Sequence, residues 1–137
     1  MSVHGLLTLS SMVELEAVTS EDRLLVSGVF HNRLNMGMSL GSDVTTYYAE
    51  QKKFTENINA DVNKCNAYNT RGPCVKGLPV GPICSPSYTS IIASINPSET
   101  NYLFFVADKN NKVYYAETNE QHVKNYNYLK SNNLWPE

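Results

Sequence analysis

Glu14 and Glu16 stand two residues apart in the run Leu6-Leu7-Thr8-Leu9-Ser10-Ser11-Met12-Val13-Glu14-Leu15-Glu16-Ala17. The run reads as a short amphipathic helix. On a 3.6-residue helix, positions three, four and seven apart share a face. For Glu16 those neighbours are Val13, Met12 and Leu9, all apolar; for Glu14 they are Ser11, Ser10 and Leu7, mostly polar. A carboxylate on an apolar stripe is costly to leave charged, so it raises its pKa and holds its proton. A protonated glutamate near neutral pH is what a general acid requires. The plainer alternative is that Glu16 sits at the helix end and snorkels to water, or pairs with a basic residue in the core.

Other chemistries find less support. The net charge is -2, which leaves no basic footprint for nucleic acid. No apolar run approaches a membrane span. The N-terminus lacks the charged lead, long apolar run and small-residue cleavage site of a signal peptide. The cysteines Cys65, Cys74 and Cys84 do not show the paired C-x-x-C spacing of structural zinc sites, so no metal is expected. An extracellular domain could bridge Cys65 to Cys74 and leave one thiol over; three free thiols are equally compatible. No nucleotide-binding motif appears either, so cofactor-free chemistry is expected. His4, His31 and His122 have no carboxylate or serine at motif spacing and read as structural or surface residues.

With 137 residues, the chain can build one ordinary domain with its own core. Thr19 followed by Asp22 is a loose capping box. It opens a second helix through Leu34, which Gly37 stops. Leu25, Val29 and Phe30 mark its buried face, and Gly28 within it suggests a close approach. Met38 to Thr45 reads as irregular. Val44-Thr45-Thr46-Tyr47-Tyr48 fits a strand by propensity but a helical turn by context, and helix is preferred. Residues 50–66 are polar and suit a short surface helix plus loop. Tyr68 to Ser87 is rich in Gly and Pro, with Val75, Leu78, Val80 and Ile83 interleaved, which argues for an ordered loop. Such a loop suits the wall of a binding cleft, since less entropy is lost on binding. Ser87 caps a further helix that ends before Pro97. Tyr102–Ala107 and Lys112–Ala116 form a hairpin around Asp108-Lys109-Asn110-Asn111. Thr118 or Asn119 caps a last helix to about Asn132. The pattern is an α+β domain with three or four helices, a late β-hairpin and a long Pro/Gly-rich loop.

Several runs resemble, in order, the motifs of the YceG-like family, the endolytic murein (peptidoglycan) transglycosylases. Met12-Val13-Glu14-Leu15-Glu16-Ala17 resembles the family's "IVEKEA". Val29-Phe30-His31-Asn32-Arg33-Leu34 resembles "VFYNRL", and Gly37-Met38-Ser39-Leu40-Gly41-Ser42-Asp43-Val44-Thr45 resembles "GMPLQSDPT". Tyr68-Asn69-Thr70 with Gly77-Leu78-Pro79-Val80-Gly81-Pro82-Ile83 resembles "YNT…GLPPGPI". Ile95-Asn96-Pro97 and Tyr102–Asp108 resemble "LNP" and "YLYFVAD", and His122 matches a late "HN"-like position. The chain departs from the pattern in two places. Six residues rather than four separate "YNT" from "GLP", and Val44 replaces the proline of "SDP".

The resemblance implies a single lysozyme-like catalytic domain over residues 1–137, taken from a longer membrane-anchored protein on the extracytoplasmic face of a bacterial membrane. It implies a lytic cut of the peptidoglycan glycan strand between N-acetylmuramic acid (MurNAc) and N-acetylglucosamine (GlcNAc), leaving a 1,6-anhydro-MurNAc end. It also implies association of the parent protein with the wall-building synthases. The second glutamate of the family triplet corresponds to Glu16, the residue already singled out by its helical face. Candidate substrate contacts are Glu14, Ser42, Asp43, Tyr68, Asn69, Thr70, Leu78 and Pro79. Glu14 is otherwise a rival acid or a solvated carboxylate, Asp43 a turn residue, and Tyr68, Asn69 and Thr70 a loop closure. Arg33 is expected to hold the second helix by pairing an acidic group. Two other readings remain: a peptidoglycan-binding module with a silent glutamate, and a muramidase-type hydrolase using Asp43 as its second carboxylate.

Overall fold

The first helix, α1 (Val3–Glu16), is the spine on which the rest is assembled; the computed structural model describes residues 1–50, 61 and 63–136. Ser2 caps α1 through its hydroxyl, which accepts from the Gly5 amide at 3.0 Å. Leu9, Met12 and Val13 are fully buried. Thr8, Ser10 and Ser11 are buried as well, and each hydroxyl donates to a carbonyl three or four residues back. Those bonds satisfy groups that would otherwise be expensive inside the core.

α2 (Ser20–Asn35) starts at Thr19, whose hydroxyl accepts from the Asp22 amide at 3.1 Å, and ends before Gly37 at φ +71°. Its buried positions are Val26 to Phe30, so Val26 takes the place in the core expected for Leu25, which is only half-buried. Gly28 lies against another backbone: a Cβ there would stand 2.6 Å from the Ser98 carbonyl oxygen. α3 (Asp43–Ala49) begins inside the stretch expected to be irregular. α4 (Tyr88–Ile95) is capped by Ser87, and α5 (Asn119–Ser131) by Thr118. β1 (Phe104–Ala107) and β2 (Val113–Ala116) pair antiparallel, with Phe105 opposite Tyr115.

The described residues therefore form an α+β fold of five helices and one two-stranded sheet, where three or four helices were expected. α1 packs on α4, α2 and α3, while the hairpin packs on α5 and α2. One core joins Leu9, Met12 and Val13 to Phe30, Val44 and Ile83. The edge-on Phe30–Phe105 contact, 5.8 Å between centroids, ties the hairpin to that core.

Among residues 63–87 there is neither helix nor strand. Cys65 and Cys74 form a disulfide and Cys84 is a free thiol, which resolves the alternatives the spacing left open. The Ile83 amide donates to Ser11 Oγ at 3.0 Å, and His4 Nε2 lies 2.7 Å from the Val80 carbonyl. Leu78 to Ile83 are thus laid along α1 between His4 and Ser11. The surface helix expected within residues 50–66 falls largely outside the described residues. Among those described there, Glu50 follows the end of α3, and 61 and 63–66 carry no helix.

Candidate active site

Glu16 is the last residue of α1, because Ala17 turns to an extended conformation at φ -134°. Arg23 of α2 holds this end by donating to the Ala17 carbonyl at 3.3 Å. The Glu16 side chain is half-buried and borders a groove of about 540 Å³. The groove runs between the α1 end, the turn before α3, the hairpin, α5 and the C-terminal Trp135.

The carboxyl of Glu16 is pushed up from 4.5 to about 7. Burial is the main cause, and the neighbouring charge of Asp43 adds to it; a hydrogen bond from Ser42 and the charge of Arg71 act the other way. The negative end of the α1 dipole disfavours the ionised form as well. The group is therefore poised between its two protonation states near neutral pH.

Ser42 is placed by its backbone. Its amide donates to Thr70 Oγ1 at 2.8 Å, and its carbonyl accepts from Thr45 Oγ1 at 2.7 Å. The Ser42 hydroxyl makes no capping bond to α3 and donates instead to Glu16 Oε2 at 3.2 Å. Asp43, in the first turn of α3, borders the groove and is ion-paired to Arg71 Nε.

Glu14 lies in a different setting. Its Oε1 accepts from the Ser87 amide at 2.7 Å and from Ser90 Oγ at 3.0 Å, while Oε2 accepts from Arg23 at 2.9 Å. These bonds, led by those from Ser87, hold its carboxyl below the ordinary glutamate value. It joins α1, α2 and α4 and does not border the groove. It was expected among the substrate contacts, and the structure places it as an internal anchor away from the groove.

Asn69 and Thr70 also turn inward. They are 1% and 0% exposed. Thr70 Oγ1 bonds with Thr45 Oγ1 at 2.9 Å, and Asn69 Oδ1 accepts from Thr46 Oγ1 at 2.7 Å. They fasten the loop to α3, and a fully enclosed side chain cannot touch a glycan. Tyr68 packs edge-on against Tyr48 at 4.8 Å and does not border the groove. Leu78 and Pro79 are likewise away from it; Leu78 packs on the core and Pro79 is buried. Their residue types suit a cleft wall, whereas the groove beside Glu16 is walled by other elements.

Those elements are β1 and α5. Phe104 has the Arg33 guanidinium 5.0 Å from its ring centroid and stacks on the His122 ring at 5.2 Å. His122 contacts Tyr126 at 5.7 Å, and Tyr126 contacts Trp135 at 6.1 Å. All five residues border the groove. Among the described residues Arg33 does not pair an acid as expected. Its Nε donates to the Leu103 carbonyl at 2.6 Å and its Nη1 to the Ser39 carbonyl at 2.8 Å. The signal in the sequence was the aromatic spacing of α5, where His122 and Tyr126 are four residues apart on one helical face. Among the described residues, no group of three or more His, Cys, Asp or Glu could hold a metal ion. No helix among them is long and apolar enough to cross a membrane.

A model of the YceG-like family matches residues 1–128. The chain is 41% identical over 131 residues to an endolytic murein transglycosylase of Streptococcus pneumoniae, covering 91% of this chain and 23% of that protein. It is 37% identical over 133 residues to an endolytic murein transglycosylase of Bacillus subtilis, covering 96% and 36%. A crystal structure of a yceG-like protein from Listeria monocytogenes superposes with a TM-score of 0.81 at 40% identity, covering 90% of this chain and 39% of that one. The chain thus spans about a quarter to two fifths of the length of these relatives. With residues 1–128 matched and the solved relative sharing its fold, the chain belongs to the YceG-like family.

Proposed function

We propose that this chain is a peptidoglycan-cleaving catalytic domain, an endolytic lytic transglycosylase with Glu16 as its acid and base. The observation that carries the reading is a single groove-facing glutamate whose carboxyl is pushed to about 7. Relatives at 37–41% identity that are named endolytic murein transglycosylases point to the substrate.

Glu16 donates its proton to the glycosidic oxygen between MurNAc and GlcNAc as the C1–O bond breaks. The GlcNAc side leaves as an alcohol, and positive charge develops at C1 of the muramic ring. The Glu16 carboxylate then takes the proton from the C6 hydroxyl of that ring. The C6 oxygen bonds to C1 and closes a 1,6-anhydro end. No water is consumed, and Glu16 finishes protonated. A pKa near the working pH lets one residue serve both steps. Ser42 occupies Oε2, which leaves Oε1 to carry the transferred proton. The rings of Tyr126 and Trp135 offer apolar faces for the sugar rings of the strand.

The site logic is lysozyme-like, with a buried acid in a groove, but it differs in the second carboxylate. A hydrolase needs that group free to act as base or nucleophile. Asp43 is held by Arg71, which favours the lytic outcome. The domain works as one unit of a longer, membrane-anchored protein on the extracytoplasmic face, a placement supported by the Cys65–Cys74 disulfide.

Mass spectrometry of peptidoglycan treated with the protein and with Glu16→Gln tests the reading. Anhydro-muramic ends from the first and none from the second are expected. Reducing ends would make it a hydrolase with Asp43 as the next target. Binding without cleavage would make it a recognition module.

A further inference from the structure

Two guanidinium groups, those of Arg33 and Arg71, border the groove beside Glu16. A Cβ on Gly41 would lie 3.2 Å from Arg33 Nη1 and 4.0 Å from Arg71 Nη1. Gly41 has φ +57°, and its bare backbone leaves room for Arg33 Nη1 on one side, with Arg71 Nη1 nearby. Arg33 has no carboxylate partner among the described residues; the ion pairs there are Arg23–Glu14 and Arg71–Asp43. Its fixed bonds, from Nε and Nη1, go to the Leu103 and Ser39 carbonyls.

A guanidinium presents five N–H donors in a planar fork. A partly enclosed one with no counter-ion is costly unless an anion arrives. The neighbouring positive charges act on the groups around them. Burial, and then Arg71, make Arg33 easier to deprotonate. Burial, and then Arg33 and Arg71, hold the His122 ring below its ordinary value. Asp108 also borders the groove, but its carboxyl is consumed by the Asn110 and Lys112 amides and the Tyr114 hydroxyl.

We propose that Arg33 and Arg71 form a carboxylate-binding subsite that takes an anionic group of the glycan substrate, so that the groove selects muramic residues by charge. This rests on the peptidoglycan reading above. The carboxylate has two possible sources: the lactyl group of a peptide-free muramic residue, or the acidic side groups of its peptide stem. Bidentate contact with a planar carboxylate is what paired guanidinium groups do best. The bound anion would also draw Arg71 from Asp43, leaving the Asp43 charge less compensated beside Glu16.

The test is titration calorimetry with the Glu16→Gln protein, which binds without turnover. The ligands are GlcNAc–MurNAc tetrasaccharides with a free lactyl acid, with that acid converted to a neutral methylamide, and with an attached peptide stem. At least one carboxylate-bearing ligand should bind about tenfold tighter than the methylamide, the scale of one charge-assisted hydrogen bond. Tighter binding of the free acid assigns the lactyl source, and tighter binding of the stem form assigns the peptide. Adding Arg71→Gln together with Asp43→Asn, which leaves the net charge unchanged, should cut the preference below about threefold. Arg71→Lys with Asp43 intact should retain part of it. Equal affinity for all three ligands, or a preference untouched by the double change, overturns the subsite even if wild-type protein still cuts glycan. Neither binding nor cleavage of any form overturns the function reading and the subsite together.

Discussion

Replacing Glu16 with Gln should stabilise the protein, and the gain should depend on pH. The Glu16 carboxyl is raised from 4.5 to about 7 in the fold. The folded chain thus holds this proton more tightly than the unfolded chain. Between those two values the folded state binds more protons, so stability falls as pH rises. The penalty is absent below about 4.5 and complete above about 7. One pKa unit corresponds to about 1.36 kcal/mol, so a shift of about 2.5 units costs about 3 kcal/mol. Glutamine has the same shape, does not titrate, and still accepts from Ser42 Oγ.

The assay is urea unfolding of both proteins at pH 4, 5, 6, 7 and 8 at constant ionic strength. The difference in unfolding free energy should be near zero at pH 4 and should reach about 3 kcal/mol at pH 8. For an ordinary m-value that moves the midpoint by roughly 1–3 M urea. Titrating groups that are not coupled to Glu16 are common to both proteins and cancel in the difference; Asp43 and Arg71, whose charges act on Glu16, belong to the effect being read. A difference that stays flat from pH 4 to 8 would refute the claim that burial holds this carboxyl neutral. It would also remove the main physical reason for assigning the acid role to Glu16.

Three further outcomes follow from the same geometry. Asp43→Asn removes a charge that raises the Glu16 pKa and frees Arg71, which lowers it; the fall of kcat/KM on the alkaline side should move to lower pH, as read on soluble glycan. Gly28→Ala gains up to about 1 kcal/mol of helix propensity but sets a Cβ 2.6 Å from the Ser98 carbonyl. It should lower stability by about 1–3 kcal/mol in thermal unfolding. Cys65→Ser with Cys74→Ser opens a loop of sequence separation 9 and should lower stability by about 2–3 kcal/mol; reduction of the wild type should give the same loss.

What could be read from the chain was local chemistry. Thr19, Ser87 and Thr118 cap their helices because a hydroxyl needs only the amide three residues on. The two faces of α1 follow from rotation per residue alone. Gly28 was legible as a close approach, although Ser98 as its neighbour was not. Tyr68, Asn69 and Thr70 show where this stops. A tyrosine, an amide and a hydroxyl suit a sugar equally well whether they face outward or inward. Thr45 and Thr46 decide the matter for Asn69 and Thr70 by offering them buried partners from a separate helix. Arg33 misled for the same reason, since its Leu103 acceptor lies seventy residues away. The spacing of His122 and Tyr126 puts them on one face of α5, but which way that face turns depends on how α5 packs on the hairpin, and no local pattern encodes that packing.

The two glutamates of α1 show how one short segment carries both the proposed acid and a structural anchor. Two residues on a helix turn the chain by about 200°, so Glu14 and Glu16 face different neighbours by construction. Glu14 meets the Ser87 amide, Ser90 and Arg23 and is held ionised. Glu16 meets a groove wall, one hydroxyl and a like charge, and its carboxyl is pushed up to about 7. Environments that push two carboxyls apart in pKa are how a fold assigns acid and base roles. Here the divergence is also mechanically coupled. Arg23 bonds both Glu14 and the Ala17 carbonyl, so the charged anchor fixes the helix end from which the Glu16 carboxyl projects. A loosened anchor would therefore blunt the acid without touching it, by letting water reach the carboxyl whose burial sets its pKa.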